Sequence, residues 1–148
     1  MKILLATATL LVIGLLAACS NAASTKRTAD RQAAYAAAAG APQRTFRFST
    51  PFYSWEPLGE AQLAVYTKPK EAYLIDLKAC HNLLVTPSIE LTSSLGQVSV
   101  GFDRVRTGTP RISCVISQIR PVDLSHLKAV QQAQRKIDAA VRDAAPAE

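Results

Sequence analysis

Residues 71–80 constrain the fold more than any other stretch. Tyr73, Ile75 and Leu77 alternate with Leu74, Asp76 and Lys78. A period of two sends successive side chains to opposite faces of an extended chain, so this is a strand with one strongly apolar face. It ends at Cys80. Residues 62–67 carry the same pattern, with Leu63 and Val65 facing one way and Ala64 and Tyr66 the other. Between the two runs lies Lys68-Pro69-Lys70. Proline supplies the fixed φ of a turn and cannot donate to a ladder. The pair is the clearest hairpin in the chain.

The same alternation continues more weakly on both sides. Thr45-Phe46-Arg47-Phe48-Ser49 predicts a first strand, broken by Pro51. Residues 52–59 concentrate Phe52, Tyr53 and Trp55 and end in a turn at Gly59. Residues 81–88 are irregular. Ile89 and Leu91 alternate with Glu90 and Thr92, and Ser93-Ser94-Leu95-Gly96 reads as a hairpin turn. Val98, Val100 and Phe102 then alternate with polar neighbours, with Gly101 marking a bend or bulge. After a turn at Thr107-Gly108-Thr109-Pro110, residues 111–119 predict the last strand, which carries Ile112, Cys114 and Ile116 on one face and stops at Pro121. Asp123 or Ser125 can cap a terminal helix whose stripe is Leu124, Leu127, Val130, Ile137 and Val141. Six or seven short strands followed by one helix predict a mainly β fold: a small antiparallel barrel or curled sheet with a C-terminal α-helix.

The first residues do not belong to that core. Lys2 is followed by an almost unbroken apolar run to Leu16, too short to span a bilayer comfortably but right for an export signal. Leu16-Ala17-Ala18-Cys19 then resembles the lipobox of bacterial lipoproteins. That resemblance implies that residues 1–18 are a signal peptide and that Cys19 becomes a lipidated N-terminus. An ordinary secretory signal with an incidental cysteine is the alternative. Ser20, not aspartate, follows, which by the bacterial sorting pattern implies the outer membrane. Residues 19–43 are rich in alanine, with local helicity possible over Ala33 to Ala39, but show no apolar stripe, so they read as a flexible tether, helical at times, with a partner-binding arm as the functional alternative. Residues 44–122 are then the globular domain, and 123–148 the terminal helix with a frayed tail.

Chemistry is sparse. With Cys19 assigned to lipid, Cys80 and Cys114 are left in an oxidising compartment and are expected to pair; two free buried thiols, or a redox pair lacking the Cys-x-x-Cys motif, are the alternatives. His81 and His126 match no zinc spacing and read as surface residues, so no metal or cofactor is expected. Ser125-His126 is a neighbouring pair with no oriented third group. The carboxylates Glu56, Glu60, Glu71, Asp76, Glu90 and Asp103 are dispersed in sequence, and no phosphate loop appears. Loss of Lys2 lowers the formal charge from +6 to +5. The basic residues are scattered and no aromatics interleave them, which argues against nucleic acid. Trp55, Asp76 and Asp103 are the candidate binding residues, with Arg104, Arg106 and Arg120 beside them in the pattern. Structural ion pairs are the bland reading of these charges.

Residues 55–123 also resemble a family of small exported proteobacterial proteins of unknown function. The likeness is carried by Trp55-Glu56-Pro57-Leu58, Val65-Tyr66-Thr67, Ala72-Tyr73-Leu74-Ile75-Asp76-Leu77, Leu91-Thr92-Ser93-Ser94, Gly101-Phe102-Asp103 and Ile119-Arg120-Pro121-Val122-Asp123. Cys80 and Cys114 stand where that family carries cysteines. The resemblance implies a compact secreted domain and brings no activity. The expectation is a non-enzymatic envelope lipoprotein, held to the membrane by lipid, that binds or supports another envelope component. The competing reading is a small periplasmic enzyme or enzyme inhibitor whose site gathers Trp55, Asp76 and Asp103.

Overall fold

The computed structural model describes residues 23–48, 51–78, 80–108 and 110–144. The apolar leader, Cys19 and the tail from residue 145 lie outside the described residues. A first helix, α1 (residues 23–38), precedes the strands β1 (Thr45–Arg47), β2 (Ser54–Gly59), β3 (Gln62–Lys68), β4 (Glu71–Lys78), β5 (Ile89–Leu91), β6 (Gln97–Ser99), β7 (Arg104–Thr107) and β8 (Ser113–Val122). A second helix, α2 (Leu124–Ala144), ends the description. Six strands make one curled antiparallel sheet in the order β2-β3-β4-β8-β7-β5, and β1 pairs with β6 as a separate ribbon. The mainly β architecture matches the sequence expectation.

The sheet is buried on both faces. On β3 and β4, Leu63, Val65, Ile75 and Leu77 face the ribbon, where they meet Phe46, Val98 and the Cys80–Cys114 pair. Phe46 stacks on Tyr73 with ring centroids 4.3 Å apart, which seats the ribbon on the sheet. Ala64, Ala72 and Leu74 face the other way, toward Ala34, Tyr35, Ala38 and Leu127 of the helices. The layers are therefore ribbon, sheet and helices.

Residues 19–43 were expected to be a flexible tether, helical at times; in the described part of that segment the helix is packed on the sheet. Residues 23–38 are a helix whose Ala34, Tyr35 and Ala38 are buried against the sheet. Its apolar stripe consists of methyl groups and one ring, too small to register as hydrophobic periodicity. Small side chains on both surfaces, with Ala64 and Ala72 opposite, let helix and sheet backbones approach closely. Past the helix, Gly40 N–H donates to the Pro121 carbonyl (2.8 Å) and Gln43 N–H to that of Ile119 (2.9 Å), so the connection is pinned along β8. A Cβ on Gly40 would stand 3.2 Å from the Pro121 ring, which favours glycine there.

Three strand expectations also change. Pro121 does not stop the last strand: β8 pairs with β4 through Tyr73↔Pro121 to Val122. The Pro121 carbonyl points to Gly40, so its missing N–H also lies on that side and the β4 ladder loses nothing. Pro57 likewise lies inside β2, which is an edge strand of the sheet. The Ser94–Gln97 turn forms as expected, with Leu95 (φ 52°) and Gly96 (φ 70°) both left-handed, but it does not join paired strands. Its flanks part, β5 pairing with β7 and β6 with β1. The strand expected through Phe102 ends at Ser99, because Gly101 (φ 82°) turns the chain and leaves Phe102 exposed.

Candidate functional site

The most developed polar arrangement lies between the helices and the sheet. Tyr35, on the buried face of α1, is 1% exposed. Its hydroxyl donates to Glu56 Oε2 of β2 (2.7 Å) and lies 2.6 Å from the Tyr66 hydroxyl of β3. A phenol has one proton, so Tyr66 must be the donor of the second bond. Arg31 Nη1 closes the chain on Glu56 Oε1 at 3.2 Å. The relay therefore runs Tyr66 to Tyr35 to Glu56, with a guanidinium on the far oxygen. Burial, then the bonds to Tyr66 and Glu56, push the Tyr35 phenol far above its ordinary range. The phenol is therefore protonated at neutral pH.

A cleft of about 650 Å³ opens over this network. Tyr35, Glu56 and Tyr66 line it together with Val122, Leu127 and the cations Lys70 and Lys128. A neighbouring groove of about 560 Å³ runs between α1 and α2 and shares Gln131 with the first. Its walls are polar, with Arg27, Asp30, Arg135 and Asp138 among them. The network can hold a polar group by hydrogen bonding. It offers no activated nucleophile: the phenol proton is held tightly, and both Glu56 oxygens already have partners.

Local sequence explains this placement. Trp55 faces the ribbon side, so the next residue along β2, Glu56, faces the helices. Tyr66 shares parity with Ala64 and arrives there by the same rule. Both were legible as alternation. Tyr35 was not, since it stands among alanines in the segment read as a tether; a single ring in an alanine run was the only signal.

The three residues singled out from sequence are not brought together. Trp55 is half-buried on β2, opposite Val65, and packs on the ribbon-side core. Asp76 lies on β4, where it accepts from Gln62 Nε2 (2.6 Å) and Arg120 Nη2 (3.1 Å). That arrangement is a half-buried ion pair tying β4 to β8. Asp103 is buried in the turn before β7, accepting from Thr92 Oγ1 (2.8 Å) and the Ser99 N–H (2.7 Å). None of the three lines the clefts described above. Arg106 pairs with Glu90 at 3.6 Å, across neighbouring strands.

Cys80 and Cys114 form a disulfide, with Cα atoms 5.2 Å apart and both residues buried in the ribbon-side core. His81 and His126 are exposed, and among the described residues no three His, Cys, Asp or Glu side chains cluster as a metal site. Ser125 and His126 instead give their backbone N–H groups to Asp123 Oδ1 at 2.9 and 3.0 Å. Asp123 is thus the cap of α2, and the Ser125 hydroxyl followed by the His126 N–H lowers its pKa.

Fold and site together define a small, disulfide-stapled, curled β-sheet protein covered by two helices, built around a hydrogen-bonding cleft. By its sequence the chain belongs to a family of unknown function (DUF6491), whose model matches residues 1–138. No curated protein and no solved structure is significantly similar to it.

Proposed function

We propose that this is a lipid-anchored envelope protein that acts by binding rather than by catalysis. The observation that carries the reading is the buried Cys80–Cys114 disulfide in a chain that opens with an apolar run and Leu16-Ala17-Ala18-Cys19. A disulfide persists in oxidising compartments, and the N-terminal pattern is the route to one. Cys19 is the lipidated residue, and Ser20 beside it sorts the protein to the outer membrane, facing the periplasm. The binding reading draws on how the polar groups are used. Asp76 and Asp103 are engaged in holding strands and a turn, while the Tyr35–Glu56–Tyr66 network presents oxygen lone pairs as fixed acceptors in an open cleft that Lys70 and Lys128 also line. That cleft suits a polar group on a partner protein of the envelope.

The test is mass spectrometry of the protein recovered from membranes. A mature chain beginning at a diacylglyceryl-modified Cys19 is expected, and Cys19→Ser should release the protein into the soluble fraction. A Cys19→Ser variant that still sediments with membranes and matures at the same site would refute the anchor.

A further inference from the structure

We infer that the distal half of α2 is a membrane-contact surface, seated on anionic lipid headgroups beside the anchor; this rests on the lipid anchoring of Cys19 proposed above. Only the start of α2 packs on the sheet, through Leu124, Leu127 and Val130. A helix of 21 residues is about 30 Å long. Its distal turns therefore run on beyond that contact, and there Ile137 and Val141 are 56% and 65% exposed. They are four residues apart, one turn along a single helix face. Both belong to the apolar stripe read from sequence, and the structure leaves them exposed.

Three observations select the occupant of this face. The first is where the anchor must be. α1 and α2 run antiparallel, since Asp123 N–H donates to the Ala38 carbonyl (2.9 Å) at one end and Lys26 Nζ meets Asp138 Oδ1 (3.5 Å) at the other. The start of α1 is thus beside the Ile137–Val141 turn. Cys19 precedes residue 23 by four positions, a reach of at most about 14 Å. Acyl chains on Cys19 hold this end of the helix pair, and not the β ribbon, toward the bilayer.

The second observation is charge. α1 and α2 together carry seven basic against three acidic side chains, a net +4 out of the whole chain's +6. A cationic helical layer is complementary to anionic headgroups, each basic group near the surface adding attraction. The third is the pattern itself: exposed aliphatics whose sequence neighbours are Arg135, Lys136 and Arg142 against Asp138, which Lys26 neutralises, and Asp143 describe an interfacial helix, apolar face in the headgroup boundary and a net cationic rim. No crossing of the bilayer is involved, and among the described residues no helix is long and apolar enough for one.

Hydrogen exchange tests this. The lipidated protein is reconstituted in vesicles of phosphatidylethanolamine with a minority of phosphatidylglycerol and compared with the free Cys19→Ser protein. The amides of residues 134–144 should exchange about tenfold more slowly on vesicles, with part of that protection lost at high salt. Ile137→Asp with Val141→Asp should abolish the difference while leaving the β3–β4 amides unchanged, which shows that the fold is intact. Equal exchange of residues 134–144 in the lipidated and free proteins overturns the contact surface while the anchor stands. Protection present in the free form and rising with protein concentration assigns the face to a second copy and also overturns it. A mass spectrum without diacylglycerol on Cys19 identifies failure of the anchor itself.

Discussion

Replacing Tyr35 by alanine removes the largest buried apolar side chain that the described part of α1 sets against the sheet. Tyr35 is 1% exposed, in the same buried cluster as Ala64, Leu74 and Leu58 of the sheet. A buried tyrosine hides roughly 150–250 Å², and at about 25 cal/mol per Å² its apolar share amounts to about 3–4 kcal/mol as an upper bound. Losing the hydroxyl leaves Glu56 and Tyr66 each short of a partner beneath the helix, adding about 1–2 kcal/mol. Tyr35→Ala should therefore cost up to about 4–6 kcal/mol, a large share of a typical domain's stability. Tyr35→Phe keeps the ring and should cost only the hydrogen-bond part, about 1–2 kcal/mol. Urea unfolding of the oxidised, soluble Cys19→Ser protein provides the measurement, read from midpoints at constant m. A tether would behave otherwise, since surface substitutions stay within about 0.5 kcal/mol. Coincident midpoints for Tyr35→Ala and its parent would refute the packing of α1 and with it the cleft.

Three further outcomes follow from the same structure. Reducing the Cys80–Cys114 bridge, which spans 34 residues, should lower stability by roughly 3–4 kcal/mol, and the unfolded oxidised protein should show no free thiol by thiol titration. Leu127→Asp should destabilise by several kcal/mol, because it strands a charge between helix and sheet, whereas Val141→Asp should leave the midpoint of the free protein within about 0.5 kcal/mol. Glu71 has its pKa lowered below 4.5, chiefly by the Thr67 hydroxyl and then by Lys68, so it contributes stability above that pH and loses it as pH falls through the folded value. Glu71→Gln should accordingly flatten the acid limb of a stability–pH curve, and an unchanged acid limb would show that the Thr67 contact is unimportant.

Alternation belongs to the single strand, and where a strand's environment matched its pattern, sequence alone was enough. Tyr73, Ile75 and Leu77 share the ribbon face as the period of two requires, and the Pro69-Lys70 turn joins β3 to β4. Cys114 falls on the same core face as Ile116, so the pairing with Cys80 was readable from parity and cysteine count. The cap at Asp123 was legible for the same reason, since capping involves only neighbours.

What tertiary structure alone decided are matters of distance and size. β1 and β6 lie some fifty residues apart in sequence, and no local pattern announces that they pair with each other rather than with their neighbours. The register of β8 against β4 slips after Asp76↔Gln118, leaving Ser117 extra, so that Ile119 returns to the face of Ile116 against simple alternation. The alanine run allowed a helix, but its packing was invisible because alanine methyls carry little hydrophobic signal yet pack a helix closely onto alanines of a sheet. Conversely, the stripe of α2 continues past the edge of what it covers, since periodicity records which residues share a face but not where the opposing surface ends. Glu56 and Tyr66 each had a readable orientation, but their meeting at Tyr35 depends on a helix contributed from twenty or more residues away, which only the folded chain brings into place.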